Sequence, residues 1–275
     1  MTIMEALRRG EAQLGAKGVE DPRFNADLML GAVLALARDR LYLERERALG
    51  PEEERRFSDL LSRRGAGEPL QYILGSQEFM GLNFCVDRRV LIPRPETECL
   101  AVQFLAAVPA AETVKVLDLC TGSGVLALTA AVYRPGARVT GTDLSADALA
   151  VARLNARRLQ ASVDWRQGDF LDPVRGESWD WILCNPPYVT FREYEATAPE
   201  IRFEPKEALV GGEDGLDFYR RLASEVRAFL KPGGRLLLEI GWQQAAAVCA
   251  LLNQRGLKTE VFRDLARKDR VILAR

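Results

Sequence analysis

The chain of 275 residues contains no histidine. This removes the side chain most often used as general base, metal ligand and triad member, so serine–histidine hydrolysis and histidine-ligated metal chemistry are excluded. The five cysteines, Cys85, Cys99, Cys120, Cys184 and Cys249, stand singly with no C-x-x-C pair. Neither a zinc site nor a disulfide framework is indicated, and reduced, mostly buried thiols are expected. Charge of one sign is lacking too: 38 Lys plus Arg face 39 Asp plus Glu, a net of -1, which leaves no global footprint for nucleic acid. No apolar run approaches the length of a membrane span or signal sequence, so the expected location is the cytoplasm. What remains is chemistry driven by a reactive cofactor or by carboxylates, with no metal. At 48% hydrophobic and 28% charged residues, the chain is able to bury a core.

Residues 1–68 read as a small helical domain. Phe24, Leu28, Leu30, Val33, Leu34 and Leu36 have helical spacing, and Pro51-Glu52-Glu53-Glu54 opens a helix with proline first and acids at its positive end. Gly65-Ala66-Gly67-Glu68-Pro69 breaks the pattern. Residues 69–95 read as extended chain, with Gln77-Glu78-Phe79 and Leu82-Asn83-Phe84-Cys85-Val86 flanking Met80-Gly81 as a hairpin would. Pro95 is placed to start a helix; Pro93 to Glu98 is either that start or a lid over a cofactor. From 96 to 275 strand and helix alternate, which predicts a parallel sheet with helices on both faces, and 259–262 with 270–274 predict a closing antiparallel hairpin.

Asn185-Pro186-Pro187-Tyr188 follows the apolar run Trp181-Ile182-Leu183-Cys184, which places it at the carboxyl end of a strand, where open α/β sheets hold their chemistry. An Asn amide offers one carbonyl acceptor, and proline keeps its C=O but has no N–H. The Asn185 oxygen and Pro186 carbonyl can hold both hydrogens of a substrate NH2 group, with Tyr188 as a flat wall. A planar amine or amide fits such a corner. The bland alternative is a turn leaving a strand.

Asp118-Leu119-Cys120-Thr121-Gly122-Ser123-Gly124 follows the first strand of the alternating region and opens a helix. Its glycines permit close backbone approach to a ligand, but Cys120 stands where a dinucleotide fingerprint needs its first glycine. Asp143, at the end of the next strand, is placed to accept from two ribose hydroxyls. Asp169-Phe170 after the third strand offers an acceptor and a ring for adenine. These groups at successive strand ends predict a nucleoside site.

This order resembles the class I S-adenosylmethionine-dependent methyltransferases, and the corner at Asn185 resembles the subset that methylates planar nitrogens. Glu68-Pro69-Leu70-Gln71-Tyr72-Ile73-Leu74-Gly75, Phe79-Met80-Gly81-Leu82-Asn83-Phe84, Val90 to Glu98, Asp214-Gly215-Leu216-Asp217-Phe218-Tyr219 and Lys268-Asp269-Arg270-Val271 are similar to motifs of the bacterial peptide chain release factor glutamine methyltransferases (HemK/PrmC family). The resemblance covers the chain from about Glu68 onward; before that it rests on helical character. It implies a Rossmann-like α/β fold, a seven-stranded class I methyltransferase sheet, joined by a β-hairpin to an N-terminal helical substrate-recognition domain. It also implies transfer of a methyl group from S-adenosylmethionine to N5 of the glutamine in the Gly-Gly-Gln motif of class 1 bacterial release factors, with S-adenosylhomocysteine as product. Carried over, it assigns Cys120, Thr121, Gly122, Ser123, Gly124, Asp143, Phe170 and Asn185 to the cofactor, with Asp169 beside them. It assigns Asn185, Pro186, Pro187 and Tyr188 to the glutamine, with Asn185, Pro186 and Tyr188 as the catalytic set. A monomer without direct nucleic-acid or membrane contact is expected. The rival readings are an adenine-N6 DNA methyltransferase, a noncatalytic nucleoside-binding protein and a nicotinamide dehydrogenase.

Overall fold

The computed structural model describes all 275 residues, which divide into two compact units. The first, Met1–Gly75 with Ala198–Phe203, holds α1 (Ile3–Gly15), α2 (Pro22–Leu34), α3 (Arg38–Leu43), α4 (Pro51–Gly65) and α5 (Leu70–Leu74). Thr2 caps α1 by accepting from the Glu5 amide at 3.3 Å, while the Glu5 carboxylate accepts from the Thr2 amide at 2.8 Å. The apolar faces meet at Ile3, Leu7, Leu14, Met29, Leu30 and Phe57, all buried. Arg64 is buried among them and donates to Asn25 at 2.8 Å and to Glu200 at 2.6 Å.

The extended reading that began at Leu70 is corrected for its first residues. Leu70–Leu74 is helical, and it ends at Gly75, whose φ of 71° is left-handed. Five residues are too few to display a helical repeat.

The second unit, Ser76–Thr197 with Glu204–Arg275, opens with β1 (Ser76–Phe79) and β2 (Leu82–Cys85), an antiparallel hairpin whose turn residues Met80 and Gly81 both have positive φ. Then follow α6 (Glu98–Ala107), β3 (Lys115–Leu119), α7 (Val125–Tyr133), β4 (Arg138–Asp143), α8 (Ala146–Leu159), β5 (Asp164–Gln167), β6 (Trp179–Cys184), α9 (Phe191–Glu195), α10 (Asp217–Glu225), β7 (Leu230–Glu239), α11 (Ala245–Asn253), β8 (Thr259–Arg263) and β9 (Asp269–Ala274). One seven-stranded sheet runs β5-β4-β3-β6-β7-β9-β8. The first five strands pair in parallel, β9 pairs antiparallel with β7, and β8 pairs antiparallel with β9, so β9 alone is reversed.

Alternation along the strands builds a core on each face. Leu117, Ile182, Leu236 and Ile272 join Tyr219, Leu222, Val248 and Leu252 of α10 and α11. Their neighbours Val116, Trp181, Leu183, Leu237 and Val271 join Leu100 and Phe104 of α6 and Leu128 of α7. Strands covered on both faces read as near-continuous apolar runs, which is how Trp181 to Cys184 looks. β7 begins earlier than expected, at Leu230 rather than Arg235, because it passes Pro232-Gly233-Gly234 where the register with β6 shifts. The cysteines are free, but only Cys184 is buried; the other four are half-buried, since Cys85, Cys99, Cys120 and Cys249 lie near element ends or on helix flanks. No helix is long and apolar enough to cross a membrane.

Candidate active site

The strand order reverses between β3 and β6, and the carboxyl ends at such a switch point form the ligand crevice of open α/β sheets. A cavity of about 430 Å³ opens there, within the range of small-molecule sites. Cys120, Thr121, Gly122, Ser123, Asp143, Asp169, Phe170, Asn185 and Pro187 line it. Gly124, Pro186 and Tyr188 lie outside its lining: Gly124 precedes α7 with a φ of 86°, Pro186 is buried, and Tyr188 is half-buried.

The loop after β3 is held by its own acids. Asp118, next to the carboxyl end of β3 and 1% exposed, accepts from the Thr121 hydroxyl at 2.5 Å and the Ala127 amide at 3.0 Å. Burial pushes its carboxyl up to about 7 against those bonds, and its Oδ1 has no hydrogen-bond partner. Asp143 accepts from the Gly122 amide at 2.8 Å and the Ser145 amide at 2.9 Å, and burial raises its pKa. It therefore clamps the loop and still presents carboxylate lone pairs to the cavity. Cys120 has a φ of 63°, so the backbone takes the left-handed turn a glycine would allow, at a strain of about 1 kcal/mol or more.

Past β5, Asp169 pairs with Arg221 at 2.8 Å. Arg221 also lies 4.3 Å from the centroid of the Phe170 ring, which meets Phe218 edge-on at 5.1 Å.

The corner after β6 is assembled from distant segments. Asn185 Nδ2 donates to Thr97 Oγ1 at 3.2 Å, and the Tyr188 hydroxyl donates to Glu239 Oε1 at 3.1 Å. Glu239, the last residue of β7, is 1% exposed; burial pushes it up to about 7, although the Thr97 hydroxyl, Arg270 and Tyr188 favour its charge. Tyr188 is pushed up by burial and by Glu239. Gly211 and Gly215 let the chain close on this corner, since an added Cβ would stand 2.5 Å from the Pro187 carbonyl oxygen and 2.3 Å from that of Tyr188. Buried Glu204 accepts from the Ile92 amide at 3.0 Å and from Arg94 at 2.5 Å, which ties down the segment carrying Pro93, itself in the cavity lining.

Thr97, Glu239 and Glu204 escaped the sequence reading as polar groups of the site. Glu239 had a usable signal, because an acid closing the apolar run Leu236-Leu237-Leu238 stands at a strand end just as Asp143 does. Glu204 had none.

The PrmC N-terminal domain family matches residues 5–75, and the methyltransferase small domain family matches residues 99–213. The chain is 44% identical to the release factor glutamine methyltransferase of Moorella thermoacetica, an alignment covering 100% of this chain and 98% of that one. It is 41% identical to that of Geobacter sulfurreducens, covering 93% and 89%. The chain belongs to the release factor glutamine methyltransferase family. A solved methyltransferase from Pyrococcus furiosus aligns with a TM-score of 0.56 at 19% identity, over 79% of this chain and 97% of that one, a likeness that speaks to the fold alone. The class I methyltransferase sheet implied by the motifs is thus present in this member of the release factor glutamine methyltransferase family. The cavity suits the family's chemistry: it combines an unpartnered buried acceptor on Asp118 and a clamped loop with a polar amide at Asn185.

Proposed function

We propose that this chain transfers the methyl group of S-adenosylmethionine to N5 of the glutamine in the Gly-Gly-Gln motif of class 1 bacterial release factors, leaving S-adenosylhomocysteine. The observation that carries this reading is Asn185 in the wall of the cavity at the end of β6, with its amide nitrogen held by Thr97. Its oxygen is thereby left as an acceptor for a substrate NH2.

Bound in the cavity, S-adenosylmethionine supplies an electrophilic methyl group on a sulfonium. Thr121 to Gly124, with Cys120, hold it against the start of α7, Asp143 accepts from its ribose hydroxyls, and Asp169 with Phe170 frames its adenine. Asn185 Oδ1 and the Pro186 carbonyl take the two N–H groups of the glutamine amide, while Pro187 and Tyr188 shape the slot around it. The amide lone pair is delocalised, so in-line positioning is the main contribution of the protein. No histidine is needed, since the nitrogen sheds its proton after gaining the methyl group. The helical unit of residues 1–68 makes a second contact with the factor, because one inserted side chain offers little surface for affinity. The near-zero net charge supports action on a protein rather than on nucleic acid, and we take the chain to act as a cytoplasmic monomer.

The test is incubation with labelled cofactor, a purified release factor, an isolated Gly-Gly-Gln peptide and duplex DNA, followed by peptide mapping. Label on that one glutamine, with intact factor far better than peptide, is expected. Label on adenine, or on the factor outside that glutamine, overturns the reading.

A further inference from the structure

The hydrogen-bond chain behind Asn185 has a direction. A hydroxyl has one hydrogen to donate and lone pairs to accept with. Thr97 accepts from Asn185 Nδ2, so its own hydrogen is free to be given to a second group. The Glu239 carboxyl is the group open to it: its buried Oε2 has no hydrogen-bond partner, and the Thr97 hydroxyl favours its charged form. Its Oε1 meanwhile accepts from Tyr188. Thr97 thus holds the Asn185 end of the corner and Glu239 the Tyr188 end. Thr97 and Glu239 are 2% and 1% exposed.

We propose that Thr97 and Glu239 are positioning residues that hold the Asn185 amide with its nitrogen inward and its oxygen toward the nitrogen to be methylated. The proposal rests on the acceptor role given to Asn185 above. An ionised carboxylate has no hydrogen to donate, so toward Glu239 the Thr97 hydroxyl acts only as donor, which leaves it to accept from Asn185. Were the Asn185 amide reversed, its NH2 would face the NH2 of the substrate, donor against donor, and the site would select an acceptor group instead. Tyr219 is bound to the Glu239 backbone oxygen at 3.0 Å, which leaves the carboxyl to the corner. The charged and titratable groups facing Glu239 are Tyr188, Glu96, Cys99, Cys184, Tyr219 and Arg270. Burial raises both tyrosines and both cysteines, so among these it is Glu239 whose charge changes near neutrality, at about 7.

The experiment uses the full chain with S-adenosylmethionine and a purified release factor. Thr97→Val removes the hydroxyl at constant size, Thr97→Ser keeps it, and Glu239→Gln keeps the size but adds donors. Turnover, KM for the factor, cofactor Kd by calorimetry and melting temperature are measured for each, with Asn185→Ala alongside. Thr97→Val and Glu239→Gln should each lower kcat by about tenfold or more while cofactor Kd stays within about twofold, and Thr97→Ser should recover most of the loss. Wild-type kcat should fall on acidification as Glu239 gains a proton and can itself donate to Thr97; Glu239→Gln should lack that limb. If Asn185→Ala is impaired but Thr97→Val turns over like wild type, or Thr97→Ser is as poor as Thr97→Val, the relay is wrong and the Asn185 reading stands. If Asn185→Ala is itself unimpaired, both fall together. Should Glu239→Gln fail to fold, the Val and Ser pair decides.

Discussion

The two halves of the cavity rim are assembled by different rules. At the ends of β3 and β4 most partners lie within ten residues, Thr121 and Ala127 on Asp118 Oδ2 and Ser145 on Asp143, and the one longer reach is from Asp143 to Gly122, 21 residues back across α7. At the ends of β6 and β7, partners come from far along the chain, with Asn185 and Thr97 separated by 88 residues and Tyr188 and Glu239 by 51. A half built from neighbours keeps its shape through local turns. A half built from distant partners depends on the register of β6 against β7, where Cys184 stands opposite Leu238, and small losses there misplace the chemistry.

The largest effect should therefore come from the distant half. Asn185→Ala removes the acceptor proposed to aim the substrate nitrogen, and turnover should fall by roughly 100- to 1000-fold, the scale of deleting one preorganised hydrogen-bonding group from an active site. Stability should change by only about 1 kcal/mol, one hydrogen bond's worth. Near wild-type turnover at saturating substrates would strip the β6 corner of its chemical role and leave the comparison purely architectural.

Each half buries one acid, and the pH dependence of folding tests both. Asp118 and Glu239 are pushed up to about 7 from ordinary values of 3.8 and 4.5. The folded chain then keeps protons that the unfolded chain has lost. The stability they contribute is fully present below the unfolded values and is lost as pH rises through about 7, by on the order of 3 to 4 kcal/mol per group at most. Paired acids with lowered values, such as Asp87, Glu177 and Asp180, act below that window with the opposite sign. Chemical denaturation at pH 5 and pH 8 should show the wild type less stable at pH 8, and Asp118→Asn and Glu239→Gln should each flatten the difference. A wild type equally stable at both would mean that neither carboxyl is held protonated.

The same contrast explains what could be read from the sequence. The strand–helix alternation, the Asp118 to Gly124 loop, Asp143 and the Asn185 corner each sit in one stretch where an apolar run ends in polar punctuation, so position along a strand was enough. Thr97 was visible only as part of a helix start, because its partner Asn185 lies 88 residues on, after β6. The start of β7 was hidden by Pro232-Gly233-Gly234, and α5 by its length. Long-range partners require the register of the sheet, which no single window contains.

Asp143→Ala probes the local half. The carboxylate is proposed to accept from ribose and is seen to hold Gly122 and Ser145, so cofactor affinity should drop by roughly 1.5 to 3 kcal/mol and stability by about 1 to 2 kcal/mol. Calorimetry and thermal melting separate the two. A stability loss with unchanged cofactor Kd would make Asp143 a loop clamp alone.

Asp169 should give the smallest effect, and it is the residue that tests where the boundary between the halves lies. By position it belongs with the local acids, one residue before Phe170 at the end of the β5 loop. By partner it belongs with the distant ones, since Arg221 is 52 residues away. The pair is open to solvent, with the Asp169 and Arg221 side chains 56% and 40% exposed, and an ion pair of that kind contributes about 0–1 kcal/mol. Arg221 also stays on the Phe170 face through its cation–π contact, which does not need the carboxylate. Asp169→Asn keeps an acceptor for the adenine amino group and loses only charge, so melting should be nearly unchanged and cofactor Kd should rise by about threefold, less than a neutral hydrogen bond. A rise above about a hundredfold would equal the loss expected at Asp143 and place Asp169 among the residues on which the cofactor depends.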